Sequence, residues 1–474
     1  MKLVKKINLF AVIILAVSNC VYSAYSPVTY EKKVIANTPD VNYYGVCLSE
    51  SDPLETGAEV YTVSYDSVSG IGDLTQFSKI SNSWSSTVLD SGTVPYLDLE
   101  CGNVDTDPNI GRQIYYLTAD YDHTAEASIK RVYFRTEAGP TYGWHAQRMS
   151  DVTSNYAPLY YNRATVDNGC IAIGNLDQTS TVGAGADGEV YFGFNDDWNE
   201  AHVVGFFIYK PNPALPGYWY KTEKYTGSIK TNLPYDLVIA DNYLTTAGNE
   251  LVWPVYYQVL NLSKPAASDS YQNWPTYYPK HYFRSAAVGN VRPETTPGDV
   301  NDPWYGPETI AGGSLHNEDP GGAHFVPVNP QTAWEIHINN LTHWKAGDSS
   351  AAYYAVQTTV NYGVDNRYIR RIATGDLNND GLDEFVIAAY GTLPTLTIYS
   401  WDSAANNFAS QVLDTGRNYY DVKIVDVNGD GVPDILYAAE GEVGVFYVPK
   451  QGDINDDGKV NFADFAILAE NWMK

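Results

Sequence analysis

The sequence predicts an all-β fold built from repeated units. The chain contains 40 Tyr and 11 Trp, residue types that are enriched in strands, and its 38 Gly and 25 Pro cut the apolar stretches into short runs. Alternation of apolar and polar residues indicates strands at 189–194, 203–209, 384–389 and 435–438. One strand–turn–strand pattern also recurs along the chain, and such self-similarity is typical of repeat architectures.

The two clearest copies of this repeat are residues 372–388 and 424–438. Each consists of an apolar strand, an acidic turn and a second apolar strand. Weaker copies keep this outline but lose acidic positions, and they begin near residues 46, 102, 171, 238 and 310.

Seven copies at a spacing of roughly 50 to 75 residues, the length of a four-stranded blade with its loops, predict a seven-bladed β-propeller. The fragment 287–291 is an alternative start for the copy at residue 310, so the blade boundaries between 287 and 325 stay open. We also expect residues 28–35 to close the ring by pairing with the last blade. The alternative architecture is a β-sandwich, or two separate β domains, with the same turns.

The N-terminus is typical of a secretory signal. Three Lys precede an apolar run at residues 7–17, which is too short to span a bilayer, and small residues up to Ser23 predict cleavage before Ala24. A lipoprotein anchored through Cys20 is the alternative, but Asn19 before it fits poorly. We therefore divide the chain into a signal peptide (1–23), a propeller (24–449) and a tail (450–474), and we expect a secreted or cell-surface protein without a transmembrane segment.

Charge and cysteine content narrow the function further. The net charge is −27, and an acidic chain of this kind repels phosphate backbones, so no nucleic-acid partner is expected.

Cys47, Cys101 and Cys170 follow the signal, and an odd number leaves at least one without an intramolecular partner. One disulfide suits an oxidising compartment, although the sequence does not specify the pair. We expect the cysteines mainly as small buried apolar residues.

Two acidic loops carry side-chain oxygens at alternating positions around a glycine. Such oxygen-rich loops suit Ca²⁺, which takes six to eight hard oxygen ligands in flexible geometry. An Asx-rich turn that binds nothing is the alternative, but carboxylates that face one another without a cation destabilise a fold at neutral pH. The predicted ligands are Asp376, Asn378, Asp380, the Leu382 carbonyl and Glu384 in the first loop, and Asp426, Asn428, Asp430, the Val432 carbonyl and Asp434 in the second.

These loops and their flanking strands resemble the FG-GAP/VCBS repeats of integrin-α-like β-propellers. The resemblance is strong over residues 366–450 and is an outline over the rest of the chain. It implies a propeller that holds calcium in the hairpin between the first two strands of certain blades.

The tail supplies a third loop, followed from residue 462 by a helical pattern. A loop and helix without a preceding helix resemble one repeat of a type I dockerin. A full dockerin has two repeats and this chain has one, which puts cohesin binding in doubt and leaves surface attachment as an alternative role. The predicted ligands here are Asp453, Asn455, Asp457, the Lys459 carbonyl and Asp464.

Two weaker cation candidates lie elsewhere. Asn103, Asp105 and Asp107 keep three ligand positions of the repeat, but Pro108 replaces the glycine. The second candidate is a group that suits a transition metal better than calcium, namely Ser314, His316, Glu318 and His324.

We expect a binding or adhesion module for a polysaccharide or a cell-surface partner. The alternative is a polysaccharide lyase or glycoside hydrolase on the same scaffold, and a structural matrix protein is a third class, because fold alone does not decide function. Proton abstraction from an acidic sugar needs a base, a proton donor and a cation, and His145, Tyr142 and Arg148 are residues of these types.

Overall fold

The computed structural model describes residues 29–51, 57–80, 83–105, 107, 109–118, 129–137, 140, 142–149, 170–176, 188–196, 203–212, 219–228, 236–240, 249–263, 272–296, 302, 304, 306–315, 334–340, 357–363, 367–391, 393–448 and 466. The predicted signal peptide and all the predicted ligands of the tail lie outside these residues. The strands are β1 (Glu31–Ser49), β2 (Glu59–Asp66), β3 (Ile71–Ile80), β4 (Ser83–Gly92), β5 (Tyr96–Gly102), β6 (Ile110–Thr118), β7 (Ile129–Arg135), β8 (Gly143–Arg148), β9 (Cys170–Gly174), β10 (Glu189–Asp196), β11 (Val203–Pro211), β12 (Trp219–Ser228), β13 (Val238–Ala240), β14 (Glu250–Ser263), β15 (Gln272–Gly289), β16 (Glu308–Leu315), β17 (Trp334–Asn340), β18 (Gln357–Gly363), β19 (Arg367–Gly375), β20 (Glu384–Gly391), β21 (Thr395–Asp402), β22 (Asn407–Thr415), β23 (Tyr419–Val425) and β24 (Asp434–Tyr447).

The strands form five antiparallel sheets in a propeller-like arrangement, which confirms the all-β prediction. Three sheets have four strands in simple sequence order: β5 to β8, β9 to β12 and β19 to β22. The other two have six strands, in the orders β23-β24-β1-β2-β3-β4 and β13-β14-β15-β16-β17-β18. The predicted strands at 189–194, 203–209, 384–389 and 435–438 lie within β10, β11, β20 and β24.

The predicted count of seven separate blades is wrong, because the described residues form five hydrogen-bonded sheets. The reason is the length of four strands, β1, β14, β15 and β24, which span 14 to 19 residues and change partner along their course. Residues 31–37 of β1 pair with β24, whereas residues 41–49 pair with β2. Such a strand joins two neighbouring groups of strands into one sheet.

The repeat itself appears as seven hairpins distributed over the five sheets. They are β1–β2, β5–β6, β9–β10, β13–β14, β15–β16, β19–β20 and β23–β24. In the fifth of them residues 287–289 lie in β15, and Ile310 lies in the second strand, β16. The alternative start at 287 is therefore right, and the copy that begins at residue 310 is not a unit of its own.

The first and last described strands, β1 and β24, pair and close the ring, as the sequence predicts. Glu31 pairs with Tyr447, and the pairing continues to Asn37 opposite Glu442. A disulfide joins Cys47 of β1 to Cys101 of β5, with their Cα atoms 6.2 Å apart, so these two cysteines are not simply small apolar residues as expected. Cys170 is buried and has no disulfide partner.

Seven strands contact one another in a closed cycle, in the order β1, β5, β9, β13, β15, β19, β23 and back to β1. One buried side chain joins three members of this cycle. The Arg371 guanidinium on β19 bonds Asp98 on β5 through Nη2 (3.0 Å), Asp421 on β23 through Nε (3.0 Å), and Asp236, just before β13, through Nη1. The centre of the ring is thus held by an arginine that bonds three carboxylates, which we call the axial cluster.

Each of these carboxylates also accepts a hydrogen bond from the backbone of the next strand in the cycle. Because a buried backbone N–H needs an acceptor, these bonds fix the register between neighbouring sheets. The donors to Asp98, Asp236 and Asp421 are the N–H groups of Ile171 on β9 (3.1 Å), Ala286 on β15 (3.2 Å) and Val46 on β1 (2.9 Å), respectively.

Apolar residues fill the space between adjacent sheets. Val386 and Leu396, for example, pack against Val422 and Ile435 of the neighbouring sheet, all of them buried. In the part of the chain that the structure describes, no helix has the length and apolar character needed to cross a membrane.

Candidate functional site

The first acidic loop connects β19 to β20 and folds around its own side chains. Asp376 accepts hydrogen bonds from the N–H groups of Asp380 (3.1 Å) and Gly381 (2.9 Å). Asn378 Oδ1 accepts from the Asp380 N–H (2.8 Å), and Asp380 Oδ1 accepts from the Leu382 N–H (2.9 Å). Gly381 has a φ of +90°, in the region that favours glycine, so its position at the bend is a conformational requirement.

The second loop connects β23 to β24 and repeats these four hydrogen bonds, with one further bond from the Gly429 N–H to Asp426 (2.8 Å). Asp426 accepts from the N–H groups of Asp430 (3.1 Å) and Gly431 (2.7 Å), and Asn428 Oδ1 accepts from the Asp430 N–H (2.9 Å). Asp430 Oδ1 accepts from the Val432 N–H (2.8 Å), and Gly431 has a φ of +84°. Two loops with the same sequence pattern therefore adopt the same conformation, and they stand on hairpins whose first strands are neighbours.

Exposure follows the same order in both loops. Asp376 and Asp426 are half-buried, Leu377 and Val427 are buried beneath the turn, and the loop tips are exposed. The last predicted ligands, Glu384 and Asp434, are only 3% and 0% exposed. Each loop therefore ranges from a buried carboxylate at its base to exposed oxygens at its tip.

Burial and neighbouring charge act together on the carboxylates at the base. Burial raises the pKa of Glu384 to about 8; the Leu377 N–H opposes the rise, and Asp380 and Asp376 add to it. Burial likewise raises the pKa of Asp434 to about 7, with further contributions from Asp430 and Asp426. In both loops negative charges crowd a carboxylate that has little contact with water.

Five of the loop carboxylates have no basic partner in the part of the chain that the structure describes. Within the described residues, no Lys, Arg or His forms an ion pair with Asp376, Asp380, Glu384, Asp426 or Asp434. Among all the described residues, no three His, Cys, Asp or Glu side chains are arranged so that they could hold a metal ion. In the acidic loops, several side-chain oxygens accept hydrogen bonds from N–H groups of their own loop. The loops thus have suitable donor atoms in a conformation that internal hydrogen bonds close.

A buried acceptor at or near the start of the second strand recurs in hairpins that lack an acidic loop, and no sequence pattern predicted it. In six hairpins a carboxylate or amide there accepts an N–H from the preceding turn. Glu384 and Asp434 therefore hold their turns in place whether or not they bind a metal. The six pairs are Glu59 with Ser51 (3.2 Å), Gln113 with Val104 (2.9 Å), Glu189 with Leu176 (3.3 Å), Glu308 with Val291 (3.0 Å), Glu384 with Leu377 (2.8 Å) and Asp434 with Val427 (3.0 Å).

The weaker candidate at residues 103–107 is already occupied by arginine. Asp105 Oδ2 lies 2.6 Å from Arg131 Nη1, and both side chains are at most 2% exposed. Asp107 Oδ2 lies 3.4 Å from Arg135 Nη2. Since β7 supplies both arginines, this turn has a cation from the protein itself and is not a site for a second one.

The predicted catalytic residues do not converge. His145 lies on β8, the edge strand of its sheet, and stacks on Tyr133 with ring centroids 5.5 Å apart. Arg148 is three residues further along a strand with no register shift, so it stands on the opposite face from His145. Tyr142 is 49% exposed and packs edge-on against Phe134.

The candidate transition-metal group lies outside the part of the chain that the structure describes. This holds for His316, Glu318 and His324 and for the side chain of Ser314.

Comparison with known proteins bears on one part of the chain. No curated protein matches the sequence at a significant level. Residues 376–437, which contain both acidic loops with strands β20 to β23, match the family model of the FG-GAP-like repeat.

Proposed function

We propose that this protein is an exported, calcium-binding β-propeller that acts as a binding or adhesion module for a polysaccharide or a cell-surface partner. One observation carries the calcium assignment. Two neighbouring hairpin loops repeat the same oxygen-rich geometry, and no described Lys, Arg or His forms an ion pair with the carboxylates at their bases, Asp376, Glu384, Asp426 and Asp434.

Calcium fits the donor set of the loops. Every predicted side-chain ligand is a carboxylate or an amide, and Ca²⁺ prefers such hard oxygen donors. A bound ion would replace the internal hydrogen bonds of Asp376 and Asp426, and it would offset the neighbouring negative charge that adds to the effect of burial in raising the pKa values of Glu384 and Asp434. The ion supplies structural order to the loops and no chemical step.

Export is supported by two independent features. Residues 1–23 have the pattern of a signal peptide. The Cys47–Cys101 disulfide also suits an oxidising compartment, where such bonds persist. We further propose that the tail, through Asp453, Asn455, Asp457, the Lys459 carbonyl and Asp464, binds a third calcium ion and attaches the protein to a cohesin-like or surface partner.

Binding is favoured over catalysis because the candidate base and cation lie on opposite faces of one strand. A lyase needs its base and its carboxylate-binding cation on the same substrate. A panel of neutral and anionic polysaccharides tests this choice. Retention without new reducing or unsaturated ends supports a binding module, whereas new ends that disappear in His145→Ala would establish an enzyme.

Thermal unfolding of the mature chain tests the calcium assignment. A ligand that binds only the folded state stabilises it by about 2.7 kcal/mol per site at one hundred times its Kd. We expect a higher melting temperature in millimolar calcium than in excess chelator, and an unchanged melting temperature would refute the assignment.

A further inference from the structure

A cleft of about 410 Å³ opens where β1 passes from one group of strands to the next. One wall is the segment of β1 around residues 35–38, which belongs with β24, and the other is the face of β2, β3 and β4. A strand that changes partner turns away from the strands it leaves, and the cleft occupies this divergence. Its volume lies within the roughly 300–1,000 Å³ of small-molecule sites.

The apolar lining of the cleft combines the aliphatic residues Ile35, Val41 and Val88 with three aromatic side chains. Phe77 on β3 and Tyr43 on β1 are each 6% exposed and belong to the hydrophobic cluster between β1 and β24. Trp84 on β4 is half-buried and packs against that cluster from the outer edge of the sheet. The aromatic groups therefore extend from a buried floor to an accessible rim.

The polar part of the cleft adjoins these rings. Tyr43, Ser64 and Asp73 are directly opposite one another on β1, β2 and β3, so their side chains share one face. Asp73 is half-buried, and its side-chain carboxylate forms no hydrogen bond or ion pair with any described residue. Asp66, by contrast, is engaged with the N–H groups of its own turn, so Asp73 is the carboxylate available to a ligand.

We propose that this cleft binds a short stretch of a neutral polysaccharide, with one ring stacked on Trp84 and the hydroxyl groups of another sugar unit donating hydrogen bonds to Asp73, which lies six residues along β3 from the partner of Trp84. The C–H groups of a pyranose ring form an apolar surface that matches an aromatic face. Hydroxyl groups donate strong hydrogen bonds to a carboxylate, and the buried hydroxyl groups of Ser64 and Thr75 supply further partners on the same wall.

The charge of the residues that line the cleft indicates whether it binds neutral or anionic saccharides. The lining contains two Asp and no Lys, Arg or His, within a chain of net charge −27. A uronic acid or a sulfated sugar would bring a second negative charge against Asp73 without a cation to offset it. The cleft thus favours uncharged sugars. This inference rests on the proposed binding function and gives it a site and a ligand class.

The test is isothermal titration calorimetry of the full mature chain in saturating calcium. The probes are neutral β-1,4-linked hexaoses of glucose, xylose and mannose, with oligogalacturonate as the anionic comparison. We expect at least one neutral oligomer to bind. Trp84→Ala should weaken its binding about tenfold, which corresponds to about 1.4 kcal/mol. Asp73→Asn, which keeps the shape and removes the charge, should weaken it about threefold to tenfold.

Two further variants keep the result interpretable. Val412→Ala removes an exposed apolar side chain on β22, in another sheet, and should leave the affinity unchanged. Trp84→Phe retains an aromatic face and should bind more tightly than Trp84→Ala, which gives a second reading if the alanine variant does not fold. The rise in melting temperature with calcium, measured on the same samples, reports on the acidic loops separately.

The proposal is overturned if no neutral oligomer binds the wild-type chain, if only oligogalacturonate binds, or if both Trp84→Ala and Asp73→Asn bind as the wild type does. In the third case a polysaccharide binds elsewhere and the broader function stands. A calcium effect without any saccharide binding would likewise sink the cleft assignment while leaving the calcium assignment intact.

Discussion

The axial cluster and the acidic loops place the same residue type in two different electrostatic situations. At the axis Asp98, Asp236 and Asp421 share the guanidinium of Arg371. In the loops Asp376 and Asp426 have backbone N–H groups of their own turns and no ion pair with a described residue. The protein supplies a cation to the first set of carboxylates itself, and we propose that calcium from solution supplies one to the second set.

The turn at residues 103–107 lies between these two cases, because it is a hairpin turn with carboxylates to which the protein itself supplies a cation. Asp105 occupies a hairpin turn equivalent to the acidic loops, yet Arg131 from β7 reaches it at 2.6 Å. The presence of a carboxylate in the turn is therefore a poor guide to metal binding. What decides is whether a strand further out in the sheet supplies a basic side chain.

The largest effect should follow from removing the axial cation. Arg371→Met leaves three buried carboxylates without a counter-charge, and breaking a buried ion pair costs about 3–5 kcal/mol. We expect a loss at or above that range in the free energy of unfolding, measured by urea denaturation. Arg371→Lys, which keeps the charge but not the three separate bonds, should lose less. Equal stability of Arg371→Met and the wild type would show that the cluster does not hold the ring together.

Removing the cation from the 103–107 turn comes next. Arg131→Met should destabilise the protein by about 3 kcal/mol, because Asp105 is buried and loses its partner. Calcium should not restore this stability, since Pro108 stands where the acidic loops have glycine. Melting curves with and without calcium measure both effects. A full recovery with calcium would mean that arginine and calcium are interchangeable at this turn.

In the acidic loops, unlike at the 103–107 turn, substitution of a carboxylate should change how much calcium stabilises the protein. Asp380→Ala and Asp430→Ala should each remove part of the calcium stabilisation, by up to about 2.7 kcal/mol at one hundred times the Kd. Asp402→Ala is the matched control, because Asp402 also accepts N–H bonds in its turn, from Ala404 (2.9 Å) and Ala405 (3.2 Å). Calcium-dependent melting that is the same in all three variants would contradict the assignment.

The smallest effect should come from the tail. Its loop and helix are expected to fold around their own metal, separated from the propeller by a short linker at residues 449–452. A chain that ends at Lys450 should differ by less than about 0.5 kcal/mol in chelator. It should also keep the calcium response of the two hairpin loops. A large drop in melting temperature would show that the tail packs against the ring.

Local sequence determined the secondary structure and the acidic loops. Alternation marked β10, β11, β20 and β24, and the Asp, Asn and Gly spacing predicted the two turns, which share four hydrogen bonds. Each of these features depends on residues fewer than ten positions apart, because a turn closes on its own backbone. Pairing of the N-terminal strand with β24 also followed from the sequence, since the last unit lacked a strand.

The number of sheets, the ion pairs and the cleft depend on contacts between residues that are far apart in the sequence. Strand length made five sheets out of seven hairpins, because β1, β14, β15 and β24 continue without a break from one group of strands to the next. Only the fold could bring Arg371 to Asp98, 273 positions away, or place Arg131 against Asp105. The separation of His145 from Arg148 by the faces of a strand, and the cleft beside Trp84, are likewise products of how strands pack. The sequence by itself determines which groups carry charge, and the tertiary structure decides which of those charges the protein neutralises, because ion pairing depends on distance in space.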